Sequence, residues 1–119
     1  MISLIHNPRC SKSRQAMEIL TQYADQQGKT LEIIDYQKSP LDAAALSKLQ
    51  SQLGLAASDM LRSNESILKE QNIDTTTLSE HEVITLIAKH PVLLQRPIVV
   101  QAGRAIIARP PEVLHTWLN

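Results

Sequence analysis

The chain lacks a second cysteine. Among its 119 residues Cys10 is the one thiol, phenylalanine is absent, and Tyr23, Tyr36 and Trp117 make up the aromatic set. A lone cysteine cannot close an internal disulfide, which excludes a disulfide-stapled secreted scaffold and points to a reducing, cytoplasmic setting. No run approaches the roughly 18 to 20 apolar residues that span a bilayer. The opening MISLIHNPRC has no basic stretch leading into a long apolar one. Neither a membrane span nor a secretory leader is therefore expected. Net charge is missing too, since twelve Lys and Arg offset twelve Asp and Glu. Bulk nucleic-acid binding needs phosphate neutralisation and base stacking needs aromatics, so nucleic acid is not an expected partner. The length fits a single domain, 1–119, with a core of its own.

Balanced charge is not evenly spread. Residues 1–14 hold Arg9, Lys12 and Arg14 with no acid, giving +3. Residues 15–37 sum to −3, residues 38–90 to −2, and residues 91–119, with Arg96, Arg104 and Arg109 against Glu112, to +2. Cys10 thus sits in a locally cationic segment of a neutral chain.

Ile2, Leu4 and Ile5, closed by His6-Asn7-Pro8, read as a strand ending in a turn. A helical pattern follows from about Ser11 to Gln27, with Ala16, Met17, Leu20, Tyr23 and Ala24 at three- and four-residue spacing. Ser11 is the expected N-cap and Gly28 the left-handed C-terminal stop. Leu31 to Tyr36 is a second strand, completing a βαβ unit with parallel strands. Residues of about 38–90 read as a helical block. One helix opens at Ser39-Pro40 and carries Leu46, Leu49 and Leu53, short helices are expected over 58–62 and 64–71, and a helix capped by Ser79 and Glu82 stops at His90-Pro91. Ile98-Val99-Val100 and Ala105-Ile106-Ile107 flank the turn Gln101-Ala102-Gly103, a hairpin, and Pro110-Pro111-Glu112 starts a final helix. The outline is α/β: a thioredoxin-like (glutaredoxin-like) mixed sheet with a helical insertion between its βαβ and ββα halves.

The segment His6-Asn7-Pro8-Arg9-Cys10-Ser11-Lys12-Ser13-Arg14 places a thiol where a strand turns into a helix. Free backbone N–H groups and the helix dipole there favour thiolate over thiol, and the same nest suits an oxyanion. The competing reading, a small buried apolar cysteine, fits poorly with three nearby bases. Cys10 and Ser13 form a CxxS arrangement, so no resolving thiol exists in the chain and any catalytic disulfide must be intermolecular. Arg96 and Arg109 each precede a proline, which restricts their backbone, and Arg62 lies at a break between helices. Their planar forks suit tetrahedral oxyanions. Arg104, at the hairpin turn, reads as a solvated surface residue. His6 either tunes the thiolate or packs at the strand end. His81, His90 and His115 have no ligand-like spacing, so no metal is assigned.

Taken together, His6 to Arg14, Leu61-Arg62, His90-Pro91, Arg96-Pro97-Ile98-Val99-Val100 and Arg109-Pro110 resemble the glutathione/glutaredoxin-coupled arsenate reductase family. The motifs run in the family's order over nearly the whole chain. The resemblance implies a thioredoxin-like fold with a helical insertion and a nucleophile at Cys10. It implies anion-binding arginines at Arg62, Arg96 and Arg109, residues that help ionise the cysteine at His6 and Ser13, and a cis proline at Pro97. Arg14 joins the thiolate-tuning set as a nearby cation. The implied substrate is arsenate or a similar oxyanion, with glutathione as co-substrate, glutaredoxin as partner, no tightly bound cofactor, and a monomer. The chain departs from well-studied reductases in having Arg9-Cys10-Ser11-Lys12 around the nucleophile and in ending without their longer C-terminal tail. Two rival functions use the same fold: a monothiol thiol-transfer or deglutathionylating enzyme, and a non-enzymatic redox regulator binding RNA polymerase.

Overall fold

A computed structural model describes residues 1–119 as two compact units, residues 1–39 with 96–119 and residues 40–95. The first unit is built on β1 (Ile2–His6), whose near-continuous apolar run suits a strand covered on both faces. Parallel β2 (Leu31–Asp35) flanks it on one side and antiparallel β3 (Ile98–Gln101) on the other, with β4 (Arg104–Ile107) outermost, so the order is β2-β1-β3-β4. Helix α1 (Ser11–Gln27) buries Ser13, Ala16, Leu20 and Ala24, one stripe at helical spacing. Ile2, Leu4, Val99, Ala108, Leu114 and Leu118 complete the hydrophobic core with Ala16, Leu20 and Ala24. Each large member of this cluster stabilises the fold by roughly 1.5–3 kcal/mol through burial.

Turn chemistry agrees with the chain path. Gly28 ends α1 in the left-handed region at φ 63°. Ala102 (φ 54°) and Gly103 (φ 77°) form a two-residue hairpin loop with both central residues at positive φ, the type I′ geometry that matches strand twist. Pro111 opens a short 3-10 turn, Pro111–Val113, that runs into α5 (Leu114–Trp117). The expected final helix is thus half 3-10. Tyr23 Oη donates to the carbonyl of Leu118 at 3.0 Å, tying this end to α1. Arg104 is exposed as expected. It also lies 4.4 Å from the Trp117 ring centre and donates to the Trp117 carbonyl at 2.9 Å.

The second unit is helical: α2 (Ala43–Leu53), α3 (Ser66–Glu70) and α4 (Glu80–Lys89), joined by 3-10 turns at Ala57–Met60, Thr75–Thr77 and Pro91–Leu93. The reciprocal Ser79–Glu82 capping box forms at α4 as the sequence predicts. Two expectations are corrected. The helix assigned to Ser39-Pro40 begins at Ala43. Ser39 still bonds back to Asp35, and the Asp42 carboxylate caps the helix by accepting from Ala45 N–H at 2.8 Å. The helix expected over 58–62 stops at Met60 because Leu61 pairs with Leu94 in an isolated antiparallel bridge. Arg62 N–H donates to Leu93 at 2.7 Å and Gln95 N–H to Met60 at 2.8 Å. The α/β arrangement is thioredoxin-like, with the helical block between the βαβ and ββα halves.

Candidate active site

The site grows from the end of β1. Asn7 is buried and uses three polar groups on the loop that follows. Its N–H donates to Ser13 Oγ at 3.0 Å, its Oδ1 accepts from Arg9 N–H at 3.0 Å, and its carbonyl accepts from Cys10 N–H at 3.0 Å. Asn-Pro is a turn-forming pair, and an asparagine side chain accepting from the N–H two residues on is its usual device. That signal was present in the sequence, yet Asn7 drew no assignment there.

The loop delivers Cys10, not Ser11, as the N-cap of α1, with extended backbone (φ −92°, ψ 123°). This correction matters chemically. An N-cap side chain faces the free N–H groups of the first turn. Here that side chain is the thiol, half-buried. Burial, the largest single influence, would raise its pKa. The backbone N–H groups of Ser13 and Lys12, then the Arg96 guanidinium by hydrogen bond and by charge, outweigh burial and hold the thiol below its ordinary value. Thiolate is the nucleophilic form.

The other sequence-predicted residues fall at different places. Ser13, fully buried, hydrogen-bonds His6 Nδ1 at 2.7 Å, and His6 is itself buried. Burial lowers the His6 pKa, Asp35 raises it and Arg14 lowers it. Arg14 is exposed and donates to the Pro8 carbonyl at 3.0 Å. Arg109 donates to the Arg96 carbonyl at 2.9 Å, so the two arginines adjoin. Both Arg96–Pro97 and Arg109–Pro110 are cis, and the second was not expected. Arg62 belongs to the helical unit, where its Nε donates to Glu65 at 2.9 Å. Within the first unit, then, Cys10, the first-turn N–H groups and Arg96 come together, and Arg109 reaches the Arg96 carbonyl. No three His, Cys, Asp or Glu side chains gather as a metal site, and no helix is long and apolar enough to cross a membrane.

A thioredoxin-like sheet with a thiolate-favouring cysteine capping α1 and an arginine beside it defines a class of thiol-bearing α/β proteins. The chain belongs to the ArsC family, whose sequence profile matches residues 5–117. It is 39% identical over 118 residues to the arsenate reductase of Neisseria meningitidis serogroup A, covering 98% of this chain and 97% of that protein. It is 40% identical over 112 residues to the uncharacterized protein YfgD of Escherichia coli strain K12, covering 93% and 91% respectively. Among solved structures, the arsenate reductase from Vibrio cholerae superposes with a TM-score of 0.84 at 35% identity, covering 97% of this chain and 95% of that one.

Proposed function

We propose that this protein is an arsenate reductase-like thiol oxidoreductase that works with glutathione and glutaredoxin. The observation that carries the reading is Cys10 at the N-cap, its thiol lowered by the Ser13 and Lys12 N–H groups and by Arg96. Family membership and relatives named arsenate reductase support it. Arg96 and Arg109 hold the oxyanion, and the family motif adds Arg62 as a third ligand.

The Cys10 thiolate attacks As(V). An S–As bond forms, an As–O bond breaks, and the oxygen leaves as water after protonation. Glutathione thiolate then attacks, a Cys10–glutathione disulfide forms, and arsenic takes two electrons and leaves as arsenite. Glutaredoxin thiol reduces that mixed disulfide and frees Cys10. The external thiols are obligatory, because the chain has no second cysteine. Cys10 supplies covalent catalysis. The arginines and N–H groups stabilise charge on oxygen through the displacement.

The test is coupled arsenate turnover with glutathione and glutaredoxin, run beside a glutathionylated peptide. Cys10→Ser should abolish arsenate turnover in a folded protein, and alanine at Arg62, Arg96 or Arg109 should weaken oxyanion binding. Turnover of the peptide alone would replace this reading with thiol transfer, which the single thiol equally permits. Retention of RNA polymerase in a pull-down, with no turnover of either substrate, would replace it with the regulator.

A further inference from the structure

Tyr36 is the largest fully buried side chain of the protein, with 1% of its surface exposed. Its hydroxyl is enclosed and meets no partner with the geometry of a formed hydrogen bond. Buried hydroxyls are rarely left so, because desolvation is costly without a bond in return. The place is informative. Parallel pairing of His6 with Asp35 puts Tyr36 level with Asn7, just past the strand ends. Antiparallel pairing of Ile5 with Ile98 brings Arg96 level with Asn7 on the other side. Tyr36, Asn7 and Arg96 therefore form a row across the end of β2, β1 and β3. Neighbouring strands are about 4.8 Å apart, so a tyrosine and an arginine two strands apart can meet over the asparagine between them.

We propose that Tyr36 is a positioning residue of the Cys10 site, its buried hydroxyl holding the Arg96 guanidinium toward the thiolate. Burial is the largest influence on the phenol and raises its pKa, while Arg96, Asn7 and Gln37 lie close enough to lower it in part. The phenol is thus protonated at neutral pH. Its oxygen accepts from a guanidinium N–H and from the Asn7 side-chain amide, the direction in which both lower the phenol pKa. Asn7 also accepts from Cys10 N–H. The phenol so couples the arginine to the loop that carries the nucleophile. This deepens the proposed reaction only in needing Arg96 beside Cys10, and it requires no particular substrate.

The experiment is the pH dependence of Cys10 alkylation by iodoacetamide, with thiolate absorbance as a second readout, in wild type, Tyr36→Phe, Arg96→Met and the double variant. Tyr36→Phe keeps the ring and removes the hydroxyl. The expected result is a Cys10 pKa raised by roughly half a unit, or about threefold less thiolate below it, with the melting curve retained. In the Arg96→Met background the same change should add nothing, the signature of a residue acting through its neighbour. An unmoved titration in Tyr36→Phe, or an equal shift in both backgrounds, would overturn the proposal. Because no arsenate enters the assay, this outcome is independent of whether arsenate is reduced.

Discussion

Removing one buried oxygen atom tests how the nucleophile loop is held. Ser13 is fully buried, and its Oγ lies 3.0 Å from the Asn7 nitrogen and 2.7 Å from His6 Nδ1. An N–H can only donate, so Oγ accepts from Asn7, and its own proton is available to a neutral His6 ring. Ser13→Ala leaves a buried backbone N–H and a buried ring nitrogen without that partner. Each such loss costs about 1–3 kcal/mol, and the two are not additive where water enters, so a total of roughly 2–4 kcal/mol is expected. For a domain of this size that lowers Tm by on the order of 10 °C.

The assay is a thermal melt followed by circular dichroism, paired with a Cys10 thiolate titration. Two roles for Ser13 separate here. Its backbone N–H is among the groups that lower the thiol pKa, and alanine keeps it. Its hydroxyl acts on Asn7 and His6. Ser13→Ala should therefore melt early while its thiol titrates close to wild type. A Tm within about 2 °C of wild type would refute the latch argument, since a lost buried bond costs at least about 1 kcal/mol. A thiol shift larger than that of Arg96→Met would show that the hydroxyl itself ionises the cysteine.

Other consequences are as direct. His6 is held below its ordinary value by burial, so the unfolded chain gains its proton first on acidification. Its contribution is complete above about pH 6.5 and lost as pH falls toward the folded pKa; His6→Asn should flatten urea-derived stability across that window. The depressed Cys10 thiol contributes stability that is fully present above the unfolded value of about 8.5 and lost as pH falls through the folded pKa. Wild type should accordingly gain on Cys10→Ser as pH rises from neutral toward 9, and parallel curves would contradict the shift. Arg104→Ala removes a cation–π contact at 4.4 Å and a bond to the Trp117 carbonyl, which should cost about 1–2 kcal/mol. The emission of Trp117, the single tryptophan, should shift with it. Ala102 holds a left-handed φ of 54°, so Ala102→Gly should raise stability by up to about 1 kcal/mol, checked by denaturant midpoint.

Much of this architecture was readable from periodicity. Helix α1 occupies the residues its apolar spacing marks out, and the hairpin and the Ser79–Glu82 box follow from local signals. What escaped depends on partners distant in sequence. The Leu61–Leu94 bridge ends a helix that local pattern would continue. Helix α2 starts at Ala43, past Ser39-Pro40, because the Ser39 N–H closes a turn back to Asp35 and the cap falls to Asp42. Tyr36 looked like one more strand residue, since nothing local to 31–36 says that its hydroxyl is enclosed at the strand ends.

The charge around Cys10 shows the same limit at its sharpest. By sequence, Arg9, Lys12 and Arg14 are the bases nearest the thiol, and a charge count credits them with its ionisation. Arg9 and Arg14 are exposed, and the Arg14 guanidinium is turned to the Pro8 carbonyl. Lys12 acts on the sulfur through its backbone N–H. The side-chain charge that lowers the thiol comes from Arg96, brought in by the antiparallel pairing of β3 with β1. A cation next to the thiol in sequence, on an exposed turn, is screened by water. A half-buried arginine fixed by sheet register is screened less and is aimed by the strand it precedes. The lone thiol is therefore tuned first by the N–H groups of its own helix turn and then by an arginine that tertiary structure delivers, and replacing the N-terminal bases should matter less than any change that loosens the start of β3.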